Sequence, residues 1–188
     1  MELRQIIQNY KSFNMQEEKD KDMMLKYIDS FDDYLTRDNE YGHFVGGGFV
    51  VNKKRDKVLM IHHNIFDAWA LPGGHADGDE DLLEVSLKEV KEETGIKNIK
   101  VLLDTPFIID ILPIAGYIKN GKYVSAHSHL SLIYLFEVNE NEDLIVCEEE
   151  NSDVRWIPID KIIEQEAYIF MKDVYKKAIE KLRLLSNK

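Results

Sequence analysis

Apolar residues recur at intervals of three and four at both ends of the chain. In the first 40 residues this spacing occurs twice, over positions 3–10 and again from 15 to about 35. At the other end, residues 171–185 place Val174, Ala178 and Leu182 on one side of a helix. We therefore predict two N-terminal helices and one closing helix. The apolar stripe of the N-terminal helices must be buried by packing. It packs either against the chain's own core or against a second copy of the chain in a homodimer.

Between these ends, short apolar runs alternate with polar turns, which is typical of strands. Residues 44–51 and 58–63 flank the polar segment 52–57 and predict a hairpin. Further strand patterns cover residues 100–103, 107–112, 124–138 and 154–158. Strands that bracket helical patterns predict an α/β fold with a mixed sheet held between helices.

One helical pattern interrupts the strands and lies between two glycine signals. It follows Gly73 and Gly74 and ends before Gly95, a residue suited to the left-handed conformation at a helix C-terminus. Asp77 or Asp79 is predicted to cap its first turn. One apolar stripe should face a core, formed by Leu83, Ser86, Leu87 and Val90.

Glu89, Glu92 and Glu93 gather on a flank of this stripe. Their spacing of three and four residues brings like charges together, which costs a few tenths of a kcal/mol per pair on an exposed helix. A hard divalent cation such as Mg²⁺ would offset that repulsion, because it takes carboxylate oxygens together with substrate phosphates. A solvated acidic face is the alternative for an arbitrary run of charge.

The spacing of these residues resembles the signature of the Nudix hydrolases. Gly74, then Glu80 after five residues, then the run from Lys88 to Ile96 after seven more, match that signature over residues 74–96 without a gap. The one departure is Lys88, where the family usually has Arg. The resemblance implies a Nudix-type α/β/α sandwich over residues 41–188, preceded by a helical N-terminal extension over residues 1–40.

The resemblance also implies an activity and a set of ligands. The expected enzyme is an Mg²⁺-dependent pyrophosphohydrolase, with Mn²⁺ as a substitute, that cleaves a diphosphate linkage in a nucleoside diphosphate derivative. Glu89, Glu92 and Glu93 match the family's metal-binding glutamates, and the backbone carbonyl of Gly73 or Gly74 would join the metal shell.

A general base or further metal ligand is expected from a loop ahead of a tryptophan. In this chain the loop is 148–150, ahead of Trp156, and Glu150 is the first choice among its three glutamates. An exposed acidic loop without a role is the alternative.

Lys88 leaves the activity itself open. The basic residue of the family orients a neighbouring glutamate, and Lys keeps the charge but lacks the planar fork of Arg. The alternative function is a catalytically weak or inactive Nudix-fold module that binds or senses nucleotides, and an isomerase on the same scaffold is a third. Glu80 and Glu84 are predicted to pair with Lys88.

Three histidines are candidate substrate contacts. His127 and His129 alternate on a strand, so both rings point to one face, and they would reach the phosphates if that face lies over the acidic helix. His75 lies in the glycine loop and is a similar candidate. A structural or surface role is the alternative for such a pair on a strand.

Composition narrows the partners and the compartment. The net charge of -11 argues against binding polymeric nucleic acid and is compatible with a small nucleotide-derived substrate held through a metal. Cys147 is the one cysteine, so no internal disulfide is expected. The sequence has no apolar signal segment and no run long enough to cross a bilayer, which predicts no membrane partner and the cytoplasm as its location. The group attached to the diphosphate is not predicted.

Overall fold

The computed structural model describes residues 2–119, 121–164 and 169–186. Met1 and residues 187–188, which belong to the predicted extension and domain, lie outside the described residues. The helices are α1 (Leu3–Asn9), α2 (Met15–Ser30), α3 (Leu82–Thr94) and α4 (Ile169–Ser186), with a 3₁₀ turn at Ile162–Glu164. The strands are β1 (Gly42–Asn52), β2 (Lys57–His63), β3 (Ala68–Ala70), β4 (Gly73–His75), β5 (Lys100–Val101), β6 (Ile108–Ile114), β7 (Tyr117–Lys119), β8 (Lys122–Val124), β9 (His127–Val138) and β10 (Asn151–Pro158).

The main sheet has eight strands and is mixed, as predicted. Its central path runs β10-β2-β1-β9-β5, with β3 paired to β2, β4 to β1 and β6 to β9. The pair β1–β9 is parallel, and the other pairs are antiparallel. The predicted hairpin is confirmed by the antiparallel pair β1–β2, in which Val51 lies opposite Val58. Parallel partners need a long crossover, and here that crossover contains α3.

Alternate residues of the central strands supply two separate cores, one on each face of the sheet. On β9, Leu130, Leu132 and Phe136 pack in one core with α3, whereas Leu135 packs in the other core with α4. Each fully buried aliphatic or aromatic side chain contributes about 1.5–3 kcal/mol. The predicted α/β/α sandwich is therefore confirmed.

The N-terminal helices cover part of the same core as α3. Leu3, Ile7 and Met24 are fully buried there. The apolar stripe of the N-terminal helices is therefore buried against the chain's own core. A homodimer stays a prediction. Helix α2 ends at Ser30, about five residues earlier than its pattern predicts.

A buried ionic network, which sequence analysis did not predict, joins α2 to the opposite helix. Glu17 is completely buried, and its Oε1 lies 3.3 Å from Lys177 Nζ. Lys177 Nζ also donates to Asp110 on β6 at 2.9 Å, and the Tyr10 hydroxyl donates to Glu17 at 2.8 Å. Buried charges persist only when they are paired, so this network fixes α2 against β6 and α4. The boundary at residue 40 stays a prediction.

The ends of α3 agree with the sequence analysis at one terminus and correct it at the other. Gly95 has φ +74° and closes the helix, as predicted. The N-cap, however, is Asp81, whose side chain accepts a hydrogen bond from the Glu84 amide at 3.2 Å. Asp77 and Asp79 cannot serve because the first binds Arg37 and the second accepts from the Asp81 amide. Among the described residues, no helix is both long and apolar enough to cross a membrane.

Candidate active site

The last turn of α3 is fixed to the glycine strand β4 by a carboxylate. Glu93 is 1% exposed, and its Oε2 accepts a hydrogen bond from the Gly73 amide at 2.7 Å. Gly73 itself pairs with Gly47 on β1, where a Cβ on Gly73 would lie only 2.6 Å from the Gly46 carbonyl oxygen. The lack of a side chain at Gly73 therefore lets β4 lie close to β1, where the Gly73 amide reaches the buried Glu93 carboxylate.

Glu89, one turn earlier, lies directly against the next glycine. A Cβ placed on Gly74 would be 2.4 Å from the carboxylate carbon of Glu89, well inside van der Waals contact. The position therefore has to be glycine for this carboxylate to occupy its place. Glu89 is half-buried, between the sheet and solvent.

A buried asparagine brings the loop that carries Glu150 to the same end of α3. Asn151, the first residue of β10, is completely buried and donates from Nδ2 to the Glu93 carbonyl at 3.0 Å. The Glu150 carbonyl accepts from the Asn64 amide at 3.0 Å. These two bonds hold the Glu150 backbone between β2 and α3, while its side chain is exposed.

The four carboxylates of the site interact electrostatically. Burial first, and then the charges of Glu89, Glu150 and Glu92, raise the pKa of Glu93 to about 8, against the Gly73 amide, which lowers it. The pKa of Glu89 is raised first by burial, then by Glu150 and Glu92. The site thus holds more negative charge than its surroundings compensate, and a bound cation would reverse that imbalance.

Glu92 and Lys88 lie on the solvent side of the helix. Glu92 is exposed, and Lys88 Nζ lies 4.0 Å from its Oε2. The predicted pair of Lys88 with Glu80 is wrong: Glu80 accepts a hydrogen bond from the Tyr34 hydroxyl at 3.0 Å. Glu80 precedes the first residue of α3, so helical spacing does not apply to it. Among the described residues, the carboxylate within 4.0 Å of Lys88 Nζ is that of Glu92, not Glu84.

The donor set fits a hard divalent cation. Its side-chain donors are carboxylate oxygens, the ligands that Mg²⁺ takes in proteins. Oε2 of Glu93 is engaged by Gly73, which leaves Oε1 to face a ligand. The Glu89 carboxylate lies in the space left by the missing side chain of Gly74. A metal role for the Gly74 carbonyl stays a prediction.

The candidate histidines lie together, but on the other face of the sheet. His129 on β9 is directly opposite His43 on β1, on the side where neighbouring strand residues pack with α4. His75 on β4 and His127 on β9 complete a cluster whose ring centroids are 4.9 to 5.2 Å apart. The condition that these rings lie over the acidic helix is therefore not met, and substrate contact by His75, His127 and His129 stays a prediction.

Burial keeps His43, His75 and His129 neutral near pH 7. Burial first, and then Arg37 and neighbouring rings, lower the pKa of His75 to about 3 and that of His129 to about 2. The pKa of His43 is lowered for the same first reason. Sequence analysis did not single out His43. Its position opposite His129 depends on the pairing of β1 with β9, which no local pattern contains.

Comparison with known proteins identifies the family that this fold and site define. A family model described as the NUDIX domain matches residues 42–178. The chain belongs to the Nudix family. The prediction of a Nudix hydrolase acting on phosphoric anhydride bonds is confirmed at that level, since matching relatives are named as hydrolases of this class.

Two curated relatives illustrate the range of the family. An RNA pyrophosphohydrolase of Pelagibacter ubique (strain HTCC1062) is 29% identical over 147 residues, covering 76% of this chain and 92% of the relative. The asymmetrical bis(5'-nucleosyl)-tetraphosphatase of Rattus norvegicus is also 29% identical, over 113 residues that cover 60% of this chain and 67% of the relative.

Solved structures support the fold. A C. elegans Ap4A hydrolase in a binary complex superposes with a TM-score of 0.56 at 21% identity, covering 74% of this chain and 97% of that one. A NUDIX-family hydrolase from Clostridium perfringens gives a TM-score of 0.53 at 24% identity, covering 76% and 97%. At these identities the likeness shows the fold alone.

Proposed function

We propose that this protein is an Mg²⁺-dependent pyrophosphohydrolase that cleaves a diphosphate linkage in a nucleoside diphosphate derivative. The observation that carries the proposal is the meeting of Glu93, Glu89 and the Glu150 loop at one end of α3. Raised carboxylate pKa values of this kind concentrate at functional sites. Mn²⁺ is expected to substitute for Mg²⁺.

Each acidic residue has a distinct proposed role. Glu89 and Glu93 are the proposed principal metal ligands. Glu89 is half-buried and Glu93 is buried, and both side chains lie against the glycines of β4. Glu92 completes the set from the exposed side, together with the Gly74 carbonyl. Bound Mg²⁺ would supply neutralisation of the phosphate oxygens and a more acidic water.

Glu150 is the proposed general base. Its carboxylate is exposed, so a water molecule can reach it, while its backbone is held by Asn64 and by the neighbouring Asn151. Its charge is felt by both Glu89 and Glu93, so it lies close to the proposed reaction centre. There it would accept the proton of the attacking water.

The relatives' names suggest substrates with a 5'-phosphate chain. A net charge of -11 favours a small nucleotide over a polymer, because a polyanion would be repelled outside the metal site. We therefore propose dinucleoside polyphosphates and other nucleoside diphosphate derivatives as the first substrates to assay, with 5'-triphosphorylated RNA as the comparison arm. A cytoplasmic location, the absence of a membrane partner and a homodimer stay predictions.

Glu93→Gln tests the proposal, with Glu84→Gln as its matched control on the same helix. Loss of a metal ligand is expected to lower hydrolysis at least about 100-fold, since even groups that only support ligands cost 10- to 100-fold. Glu84 is exposed in the first turn of α3, and its variant should keep the wild-type rate. Phosphate release is assayed with Mg²⁺, and circular dichroism checks the fold. A fully active Glu93→Gln enzyme would remove the proposal.

A nucleotide-binding module without turnover is the second candidate, and Lys88 favours it. Its ammonium lies at the surface beside Glu92, and it acts on Glu89 through its charge rather than through a bidentate pair. Calorimetric binding of the same nucleotides, with no phosphate release at any Mg²⁺ or Mn²⁺ concentration, would favour this function. If Lys88→Arg raises the rate, Lys88 limits a working enzyme.

A further inference from the structure

Three strands bring four histidines together at one end of the sheet, outside the carboxylate site. His43 and His129 are directly opposite each other in the parallel pair β1–β9, and His75 joins them from β4. One ring nitrogen from each of these three lies within 4.8 Å of the others. His127 borders the group, with its Nε2 3.2 Å from His129 Nε2.

His43 has a nitrogen whose lone pair is not used. Its Nδ1 lies 3.4 Å from the Asn39 carbonyl oxygen, which can only accept, so Nδ1 carries the proton in the neutral ring. The lone pair is then on Nε2. The side chain is 4% exposed, and among the described residues this Nε2 has no hydrogen-bond partner. A buried acceptor left without a partner costs about 1–3 kcal/mol, so its place in the cluster needs a ligand to explain it.

His127 is oriented in the same way. Its Nδ1 lies 2.8 Å from the Ser125 carbonyl oxygen and is therefore the protonated nitrogen, which leaves a lone pair on Nε2 beside His129. A backbone carbonyl on one ring nitrogen is the arrangement that orients metal-binding histidines and fixes their tautomer. In both His43 and His127, therefore, Nδ1 is held by a backbone carbonyl oxygen and Nε2 carries the lone pair.

We propose that His43, His75 and His129 bind one divalent transition-metal ion of the zinc class, with His127 within reach as a fourth ligand. Imidazole nitrogens suit such ions, whereas Mg²⁺ prefers oxygen. Zn–N bonds of about 2.1 Å at tetrahedral angles place two nitrogen ligands about 3.4 Å apart. From separations within 4.8 Å, the ring nitrogens would need to approach one another by up to about 1.4 Å, which side-chain rotation can supply.

The bound ion would join β1, β4 and β9 at one end of the sheet. His75 follows Gly74 directly, so the same short strand serves the carboxylate site on one face and the histidine site on the other. The proposal is independent of the hydrolytic activity, because none of the carboxylates takes part in it.

Metal titration of the full chain, carrying no polyhistidine tag, tests the site. Zn²⁺ is added in excess Mg²⁺, which occupies the oxygen ligands, and binding is followed by calorimetry and by the rise in melting temperature. Co²⁺ provides a second readout, because its visible absorption reports nitrogen coordination. The wild type should bind one ion, and His129→Gln should weaken binding at least about 100-fold.

Two further variants make the result decisive. His75→Gln changes a half-buried ligand and should lose binding in the same way as His129→Gln, even if the buried His43→Gln variant fails to fold. His62→Gln is the matched control, because this histidine lies on β2 beside Ser152, outside the cluster. If the wild type takes up no Zn²⁺ under these conditions, or if all variants bind it equally, the cluster is only packed imidazole and the proposal fails.

Discussion

The carboxylate site and the histidine cluster share β4 but respond to charge in opposite ways. Glu93 is buried and surrounded by like charges, so its pKa is raised to about 8. His75 and His129 are buried and lie near Arg37 and other histidines, which Asp77 offsets only in part at His75, so their pKa values fall to about 3 and about 2. Glu93 therefore keeps its proton to a higher pH than a free carboxyl group, and His75 and His129 accept a proton only at a lower pH than a free imidazole. In the metal-free protein, the contributions of the two sites to stability therefore change with pH in opposite directions.

The acid limb should show the largest effect. A histidine with a depressed pKa stabilises the fold above its unfolded value near 6.5 and loses that contribution as the pH falls. With His75 and His129 both depressed, the free energy of unfolding should fall by up to about 2.7 kcal/mol per pH unit below pH 6.5, or about 1.4 for each histidine. The titration of Glu93 opposes this slope between about pH 4.5 and 8, so urea unfolding from pH 7 to pH 5 in EDTA is measured in a Glu93→Gln background.

His129→Gln isolates the cause of that slope. In the same Glu93→Gln background the variant should lose about half of it, because Gln does not titrate, while the control His62→Gln should keep the full slope. An unchanged slope in His129→Gln would show that exposed carboxylates, not the cluster, govern acid stability.

The opposite slope, between about pH 4.5 and 8, is smaller, because it is carried by the one carboxyl group of Glu93. A carboxyl group whose pKa is raised stabilises the fold below its unfolded value near 4.5, and that contribution is lost as the pH rises through about 8. The metal-free protein should lose up to about 1.4 kcal/mol per pH unit in this window. Saturating Mg²⁺ should flatten the decline, as should Glu93→Gln. A decline of equal size with Mg²⁺ present would contradict the assignment of Glu93 as a ligand.

These two sites also differ in how far the sequence could predict them. Glu89, Glu92 and Glu93 lie within one helix, where spacing alone fixes their mutual position, and Gly95 stops that helix as expected. The histidine cluster depends on strand pairing, so His127 and His129 could be assigned a shared face but not which face. His43 lies 86 residues before its partner His129 and could not be found without that pairing.

Side-chain competition explains the remaining differences. Asp77 has the spacing of a capping residue, but its carboxylate binds Arg37 from the N-terminal extension, and Asp81 caps the helix instead. Glu17 lies in a charged stretch that resembles a solvated helix face, yet it is fully buried with Lys177. In both cases the partner is distant in sequence, so local periodicity contains no sign of it.

Gly74→Ala tests how closely the carboxylate site depends on β4. The added Cβ would lie 2.4 Å from the Glu89 carboxylate, so that side chain must move and hydrolysis should fall at least about 100-fold, or about 2.7 kcal/mol in transition-state stabilisation. Gly78→Ala is the control. Its Cβ would meet nothing within 4 Å, although φ +95° makes it cost about 1 kcal/mol of stability. Lost activity in Gly78→Ala alone would mean that loop strain, not contact with Glu89, controls the rate.

The smallest effect is expected at the ion pair between Arg37, in the N-terminal extension, and Asp77, in the loop between β4 and α3. Arg37 donates to Asp77 through both Nε, at 2.8 Å, and Nη2, at 2.5 Å, but both side chains are about half exposed. Removing such a pair costs about 0.2–1 kcal/mol. Arg4→Ala is the matched control, because Arg4 makes the same kind of half-exposed pair with Asp29. At pH 7.5 the two variants should lose similar stability.

At pH 5.5 the two variants should separate. The positive charge of Arg37 contributes to lowering the pKa of His75 and His129, after burial, whereas Arg4 is not among the groups that act on them. Without Arg37 the histidines accept protons at a smaller cost, so Arg37→Ala should lose less stability on acidification than Arg4→Ala. Urea unfolding of both variants at the two pH values measures this difference. Parallel losses would mean that Arg37 fixes the loop but does not tune the cluster, so the histidines would owe their neutral state to burial alone.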